Sequence, residues 1–452
     1  MSVVTTTSGA TDDLIDLVAD FRTDAVPSDV RRECTRAFVN AMGCMIAGGG
    51  HEMVEAASNG LAVFAGPPSA SLIGRGQKAD VLTASLLNGL AGAAYSFDDA
   101  YSEALLHPSG PAVAALLAMA ETRPLAGADF LACLALGMEI SCRLADVIAS
   151  SRDRSWIAWS QTGICCGAGV ALAAGKALGL ARDQLDWALG IALSQAAGTR
   201  ATHGSMSASL IFGHAASTGL RAAILAQQGF TASSGSVEDR YGFASVYAKE
   251  ADLSLLTKDF GLAWQLKANT YKPFPCALLI HASLDGLLQL KRENAFPHEH
   301  VESISLSVPP AAITLCSRPH PMNEMEAKLS LEHWIAAAAV YGKAGIAQGS
   351  LSVVNDPRVV NLRERIRLEG DAGVESDAAR ITIALSGGET LQRTIDHCVG
   401  GVGRPMSDHQ LEEKFLDLSS TSIGPERARQ VLDLCWSVNE ARDVGAAARA
   451  AC

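Results

Sequence analysis

The 452-residue sequence has no apolar run of the roughly 18 to 20 uncharged residues that a membrane-spanning helix needs. Hydrophobic residues nevertheless make up 48% of it, so the expectation is a water-soluble chain with ample material for cores. The opening stretch MSVVTTTSGATDDL lacks a basic segment followed by an apolar one, and its acidic residues argue against a transit peptide. The expected location is cytoplasmic, with no membrane partner. Positive charge is also short: 36 Lys and Arg stand against 48 Asp and Glu, a net charge of −12. No basic face is left for a phosphate backbone, so no nucleic acid is expected as a partner, and a small molecule or another protein remains.

Several motifs are missing. Eleven cysteines are scattered through apolar segments such as 131–136 and 164–168 with no CxxC pair, and Cys165 and Cys166 form a vicinal pair on a helix. Buried free thiols in a reducing compartment fit this pattern better than disulfides or a metal site. There is no HExxH. His298 and His300 in PHEHVE have no further ligand cluster and read as a solvated loop, so no metal is expected. No G-x-S-x-G or Walker A loop is present, and Gly167 and Gly169 lack the third glycine and preceding strand of a dinucleotide site. Chemistry without a cofactor is favoured.

The chain is too long for one ordinary core, which predicts two domains. Over 11–229 helical signals follow one another, apolar at i, i+3, i+4 and closed by Gly, Pro or Asp. Ser28 reads as an N-cap, after which Val30, Cys34, Phe38, Ala41 and Met45 trace one face until Gly48-Gly49-Gly50. Later helices, at 82–94, 162–179 and 185–198, are rich in alanine and glycine, which suits close helix-on-helix packing. The character changes near Lys267. Alternation through Ile304, Leu306 and Val308, and again through Ile381, Ile383 and Leu385, predicts strands, with Gly387-Gly388 turning into a third at 390–397. Helices are predicted at 277–291, 324–342, 407–418 and 425–442, the last two able to pack back on the first domain. The expected fold is mainly α: a large all-helical domain over 1–266 and 398–452, and a smaller α+β domain over 267–397.

Two polar islands can carry chemistry. SFDDAYSEALLHPSG, 96–110, sets Asp98 and Asp99 close to His107. Adjacent carboxylates shift each other's pKa, and a histidine titrates near neutrality, which suits a general acid or base. The same residues also serve simply to end one helix and start the next. NTYKPFPCALLIHASLD, 269–285, lies at the change of character and holds Lys272 among aromatic and proline residues, with His281 further on. Lys272 could bind a carboxylate at a domain junction, or be an exposed lysine in a rigid loop.

With ALGIALSQAAG (188–198), HAASTGLRAAILAQQGFTAS (214–233), MNEMEAKLS (322–330) and RPMSDHQLEEKF (404–415), these islands resemble the MmgE/PrpD family along nearly the whole chain. That family includes 2-methylcitrate dehydratase, cis-aconitate decarboxylase and iminodisuccinate epimerase. The resemblance implies a homodimer, a helical domain with an α+β lid, a site in the cleft between them, and no required metal or cofactor. It places catalysis on His107, Asp98, Asp99 and Lys272, with Tyr101, Ser96, Ser160, Ala208, Ile211 and His281 around the substrate.

The chain departs from the family's pattern at Ser96, where an Asp is usual, at Ser160 and Ile211, where histidines stand, and at Ala208, where a lysine stands. Fewer cations and donors imply a carboxylic acid less anionic than citrate or aconitate. The expected function is a lyase of the dehydratase or decarboxylase type that abstracts a proton beside a carboxyl-stabilised carbon. An isomerase or epimerase using the same carbanion is the alternative, and a binding protein that has lost catalysis is the third reading.

Overall fold

Glycine and alanine decide how the helices meet. The computed structural model describes residues 9–151 and 156–452. Helices Val81–Ala93 and Ser207–Gln227 cross at Gly89 and Gly213, where a Cβ on Gly213 would lie 2.2 Å from the Leu86 carbonyl oxygen. Gly127–Ala149 and Gln161–Ala177 meet as closely, since a Cβ on Gly169 would lie 2.3 Å from the Gly137 carbonyl oxygen. Backbones this near each other gain dispersion contacts that larger side chains would block. Around the crossings Leu134, Ile140, Leu172 and Leu220 are fully buried in one large core. Leu411 and Phe415 of helix Asp408–Ile423, with Val431 of Pro425–Trp436, join that same core, Phe415 lying against Gly43 of helix Ser28–Gly49.

A second core lies under a four-stranded sheet. Its order is Ile366–Gly370, Val301–Val308, Ala379–Leu385, Thr390–Ile395, the first pair parallel and the others antiparallel. Alternate residues Ile304, Leu306, Ile381 and Ile383 turn inward, as a period of two requires, and pack with Leu284, Leu287 and Trp334. Helix His281–Asn294 sits on the sheet at Gly286, where a Cβ would meet Ile381. The molecule is mainly α with a smaller α+β domain.

The strand Val301–Val308 and the Gly387-Gly388 turn follow the sequence pattern, Gly388 taking φ +80. The helices expected at 185–198 and 425–442 end early, at Leu193 and Trp436, and three further elements differ. Helix Ser28–Gly49 begins at Ser28 and is flanked by Pro27, so Ser28 is its first residue and not its cap. The stretch expected as one helix at 324–342 is two, Glu324–Ala327 and Leu331–Tyr341, because the Ser330 hydroxyl accepts from the His333 amide at 3.0 Å and starts the second. The helix expected from 277 starts at His281, after a 3-10 turn at Leu278–Ile280. Among the described residues, no helix is long and apolar enough to cross a membrane.

Candidate active site

Both polar islands contain a short strand. Asp99–Tyr101 pairs antiparallel with Asn269–Tyr271, Asp99 opposite Tyr271 and Tyr101 opposite Asn269. Three residues a side hold little by themselves, so side chains reinforce the ladder. Thr270 Oγ1 donates to the Ala100 carbonyl at 2.7 Å, and Asn269 Nδ2 donates to Asp99 Oδ2 at 2.9 Å. This register sets the residue before one strand beside the residue after the other. Lys272 Nζ donates to Asp98 Oδ1 at 2.6 Å, with both side chains buried.

His107 completes the group. The chain reaches it through Leu105 in the left-handed region, φ +52, a conformation that costs a non-glycine residue energy and often accompanies function. Its amide donates to Thr162 Oγ1 at 3.0 Å. Its Nδ1 lies 2.6 Å from the Asp99 carbonyl oxygen and 3.0 Å from Asp98 Oδ2, the latter without hydrogen-bonding alignment. A carbonyl only accepts, so Nδ1 carries the proton and the neutral ring keeps its lone pair on Nε2. Nε2 is thus the nitrogen open to substrate.

Burial pushes the Asp98 carboxyl upward, but His107 and Lys272 outweigh it and hold the group well below the usual carboxylate range. Asp99 goes the other way, raised by its burial and then by the charge of Asp98. Two adjacent carboxyls therefore have distinct states: Asp98 is the anion and Asp99 the group that tends to keep a proton. Behind them lies Lys414 of helix Asp408–Ile423, also buried. Its three donors reach Asn40 Oδ1 at 2.7 Å, the Phe97 carbonyl at 2.6 Å and the Lys272 carbonyl at 2.8 Å, and its ammonium stands 4.2 Å from the Phe97 ring centroid. Burial lowers its pKa to about 8.

His107 and Lys272 open on a cavity of about 140 Å³ whose walls come from 93–107 and 160–212 on one side and from 272–329 on the other. Of the residues expected around a substrate, Ser96, Ser160 and Ala208 line it. The Ser160 hydroxyl caps helix Gln161–Ala177, accepting from the Gly163 amide at 3.4 Å. Tyr101, Ile211 and His281 lie outside the lining, each for a physical reason. The Tyr101 hydroxyl donates to Asp146 Oδ2 at 3.1 Å. Ile211 fills the hollow over Gly163 and Gly198. His281 is buried with Nε2 3.3 Å from the Cys276 carbonyl oxygen, its pKa lowered to about 3, first by that burial.

Sequence reasoning missed three cationic or titratable groups in the lining: Arg200, His203 and Lys328. Arg200 donates to the Trp159 carbonyl at 3.0 Å and to Gln161 Oε1 at 2.6 Å. Lys328 donates to the Ala94 carbonyl, and burial lowers its pKa to about 8. Among the described residues, neither has a carboxylate within ion-pair distance, nor do three or more His, Cys, Asp or Glu stand together as a metal site would require. The segment GTRATHGS was a visible signal for the first two, as MNEMEAKLS was for Lys328, but neither pattern says which way its side chains turn.

Sequence models of the MmgE/PrpD N-terminal domain and the MmgE/PrpD C-terminal domain match residues 12–256 and 274–438, and the chain belongs to this family. It is 25% identical to a cis-aconitate decarboxylase of Aspergillus terreus, over 97% of this chain and 94% of the relative. A mouse cis-aconitate decarboxylase is likewise 25% identical, over 96% and 91%. The human one is 26% identical over 80% and 77%.

Proposed function

We propose that the chain is a lyase of the decarboxylase or dehydratase type acting on a small dicarboxylic acid without a metal or organic cofactor. The observation that carries this reading is His107, whose Nδ1 is committed to the Asp99 carbonyl, leaving Nε2 at a cavity shared with Lys272. Such a nitrogen takes a proton from carbon next to a carboxyl group. Lys272, held by Asp98, then faces the negative charge that develops on the carboxylate or enolate. Family membership and the decarboxylases among the relatives support the reaction class.

The charge count supports the substrate class. Lys272 is already paired with Asp98, whereas among the described residues Arg200 and Lys328 bond neutral groups, carbonyl and amide oxygens and the Met325 sulfur. Two uncommitted cations match two carboxylates, one fewer than citrate or aconitate carries, while Leu278, Leu279 and Leu315 offer the remainder an apolar wall. The same carbanion, reprotonated on its other face, would give an epimerase, the second reading.

Incubation in deuterated water with a panel of hydroxy, unsaturated and saturated di- and tricarboxylates tests the assignment. Deuterium incorporation together with a new alkene or released carbon dioxide is expected from a dicarboxylate, and at least about a hundredfold less from His107→Ala. Incorporation with inverted configuration and no elimination would replace the lyase with an epimerase. No incorporation across the panel would leave a binding protein.

A further inference from the structure

Elimination needs one group to take a proton and another to give one, and the positions where the family carries further histidines supply none here. The Ser160 hydroxyl is spent on a helix cap, and Ile211 lies outside the lining. The cavity nonetheless has a second imidazole. His203 follows the 3-10 turn Arg200–Thr202, its amide donating to the Arg200 carbonyl at 3.0 Å. Gly204 behind it takes φ +93, a left-handed step, and the His203 ring lines the same space as His107. Among the described residues the ring makes no hydrogen bond, so both nitrogens are open to an occupant.

We propose that His203 is the second proton-transfer group of this site, taking up a proton as an anionic substrate enters and giving it to the leaving group or the carbanion. The inference rests on the lyase reading above. In a dehydration, His107 Nε2 takes the proton beside the carboxyl, the C–O bond breaks with its electron pair on oxygen, and the His203 imidazolium protonates that oxygen so that water leaves. In a decarboxylation, the C–C bond breaks, carbon dioxide departs, and the electron pair left on carbon takes the His203 proton. Either way His203 ends neutral.

The surroundings explain why the proton arrives with the substrate. Burial and then the positive charges of Arg200 and Arg318, with His107 beyond, hold the empty-site imidazole near a pKa of about 4. From the α+β domain, Glu326 and Arg318 both approach Gly204, and Lys272 and Lys328 share the cavity. A dicarboxylate adds two negative charges that offset this cationic space, and a carboxylate oxygen against the ring stabilises its imidazolium.

Calorimetric binding of succinate and tricarballylate at pH 7, in two buffers of different ionisation enthalpy, counts the protons taken up. Wild type is expected to take up about half to one proton per site, and His203→Asn and His203→Gln at least fivefold less. Unchanged uptake in folded His203 variants, or uptake abolished only by His107→Asn, would overturn the proposal. Binding without proton uptake would also overturn it and leave the lyase reading standing. If neither acid bound the wild type, the dicarboxylate reading would fall and this inference with it.

Discussion

Asp98 is worth most to the protein as the partner of a lysine that has nowhere else to put its charge. Lys272 is 2% exposed, and Asp98 Oδ1 is its carboxylate contact at 2.6 Å. Asp98→Ala leaves that ammonium buried and unpaired, which costs about 3–5 kcal/mol in urea unfolding at pH 7. The sign with pH follows from the lowered carboxyl. Its stabilisation is complete above the unfolded carboxylate value of about 4 and fades as pH falls toward the folded one, so the gap between wild type and variant narrows in acid. Lys328 predicts a second pH effect. With its pKa lowered to about 8, dicarboxylate affinity should hold below that pH and fall up to about tenfold per unit above it. Lys328→Met should flatten this limb in calorimetry; a limb of undiminished slope would remove Lys328 from the binding site.

At the scale of elements, packing makes separate demands on glycines of the two helices that cross at Gly89 and Gly213. Gly92 and Gly213 both sit in helices, yet a Cβ on Gly92 would meet Met45 Cγ at 3.4 Å, whereas one on Gly213 would run into backbone at 2.2 Å. Gly92→Ala should therefore be neutral or stabilising by up to about 1 kcal/mol, and Gly213→Ala destabilising by about 1–3 kcal/mol, as read from denaturation midpoints. Gly213→Ala should also weaken ligand binding, because its helix carries Ala208 and Phe212 in the cavity wall. Elements with a repeating pattern were legible in sequence: Val301–Val308 alternates from Ile304 to Val308 and matches its strand. The ladder that assembles the site was not. Asp99–Tyr101 and Asn269–Tyr271 are three residues each, too short for any period to show, and their pairing is a fact of tertiary structure. His107, Asp98 and Lys272 could be picked out by residue type and by resemblance. Arg200, His203, Lys328 and Lys414 could not, since only the fold turns them inward.

At the scale of the molecule, the cavity is walled by 93–107 and 160–212 from the helical part and by 272–329 leading into the α+β part. A ligand bound there touches both and should stabilise the whole by RT ln(1 + [L]/Kd), about 2.7 kcal/mol at a hundredfold excess over Kd. Thermal unfolding with a saturating dicarboxylate checks this; an unchanged midpoint would mean that the cavity is not where the acid binds. The final consequence belongs to Lys414. Its ammonium gathers Asn40, Phe97 and Lys272, three segments made at widely separated times during synthesis, and the lysine itself is made after all three. A growing polypeptide can build the first helices as they emerge, but it cannot close the back of the Asp98–Lys272 pair until residue 414 has cleared the ribosome. Chains cut before residue 414 should thus be compact yet bind no dicarboxylate in calorimetry, and the site should form only once that helix has docked.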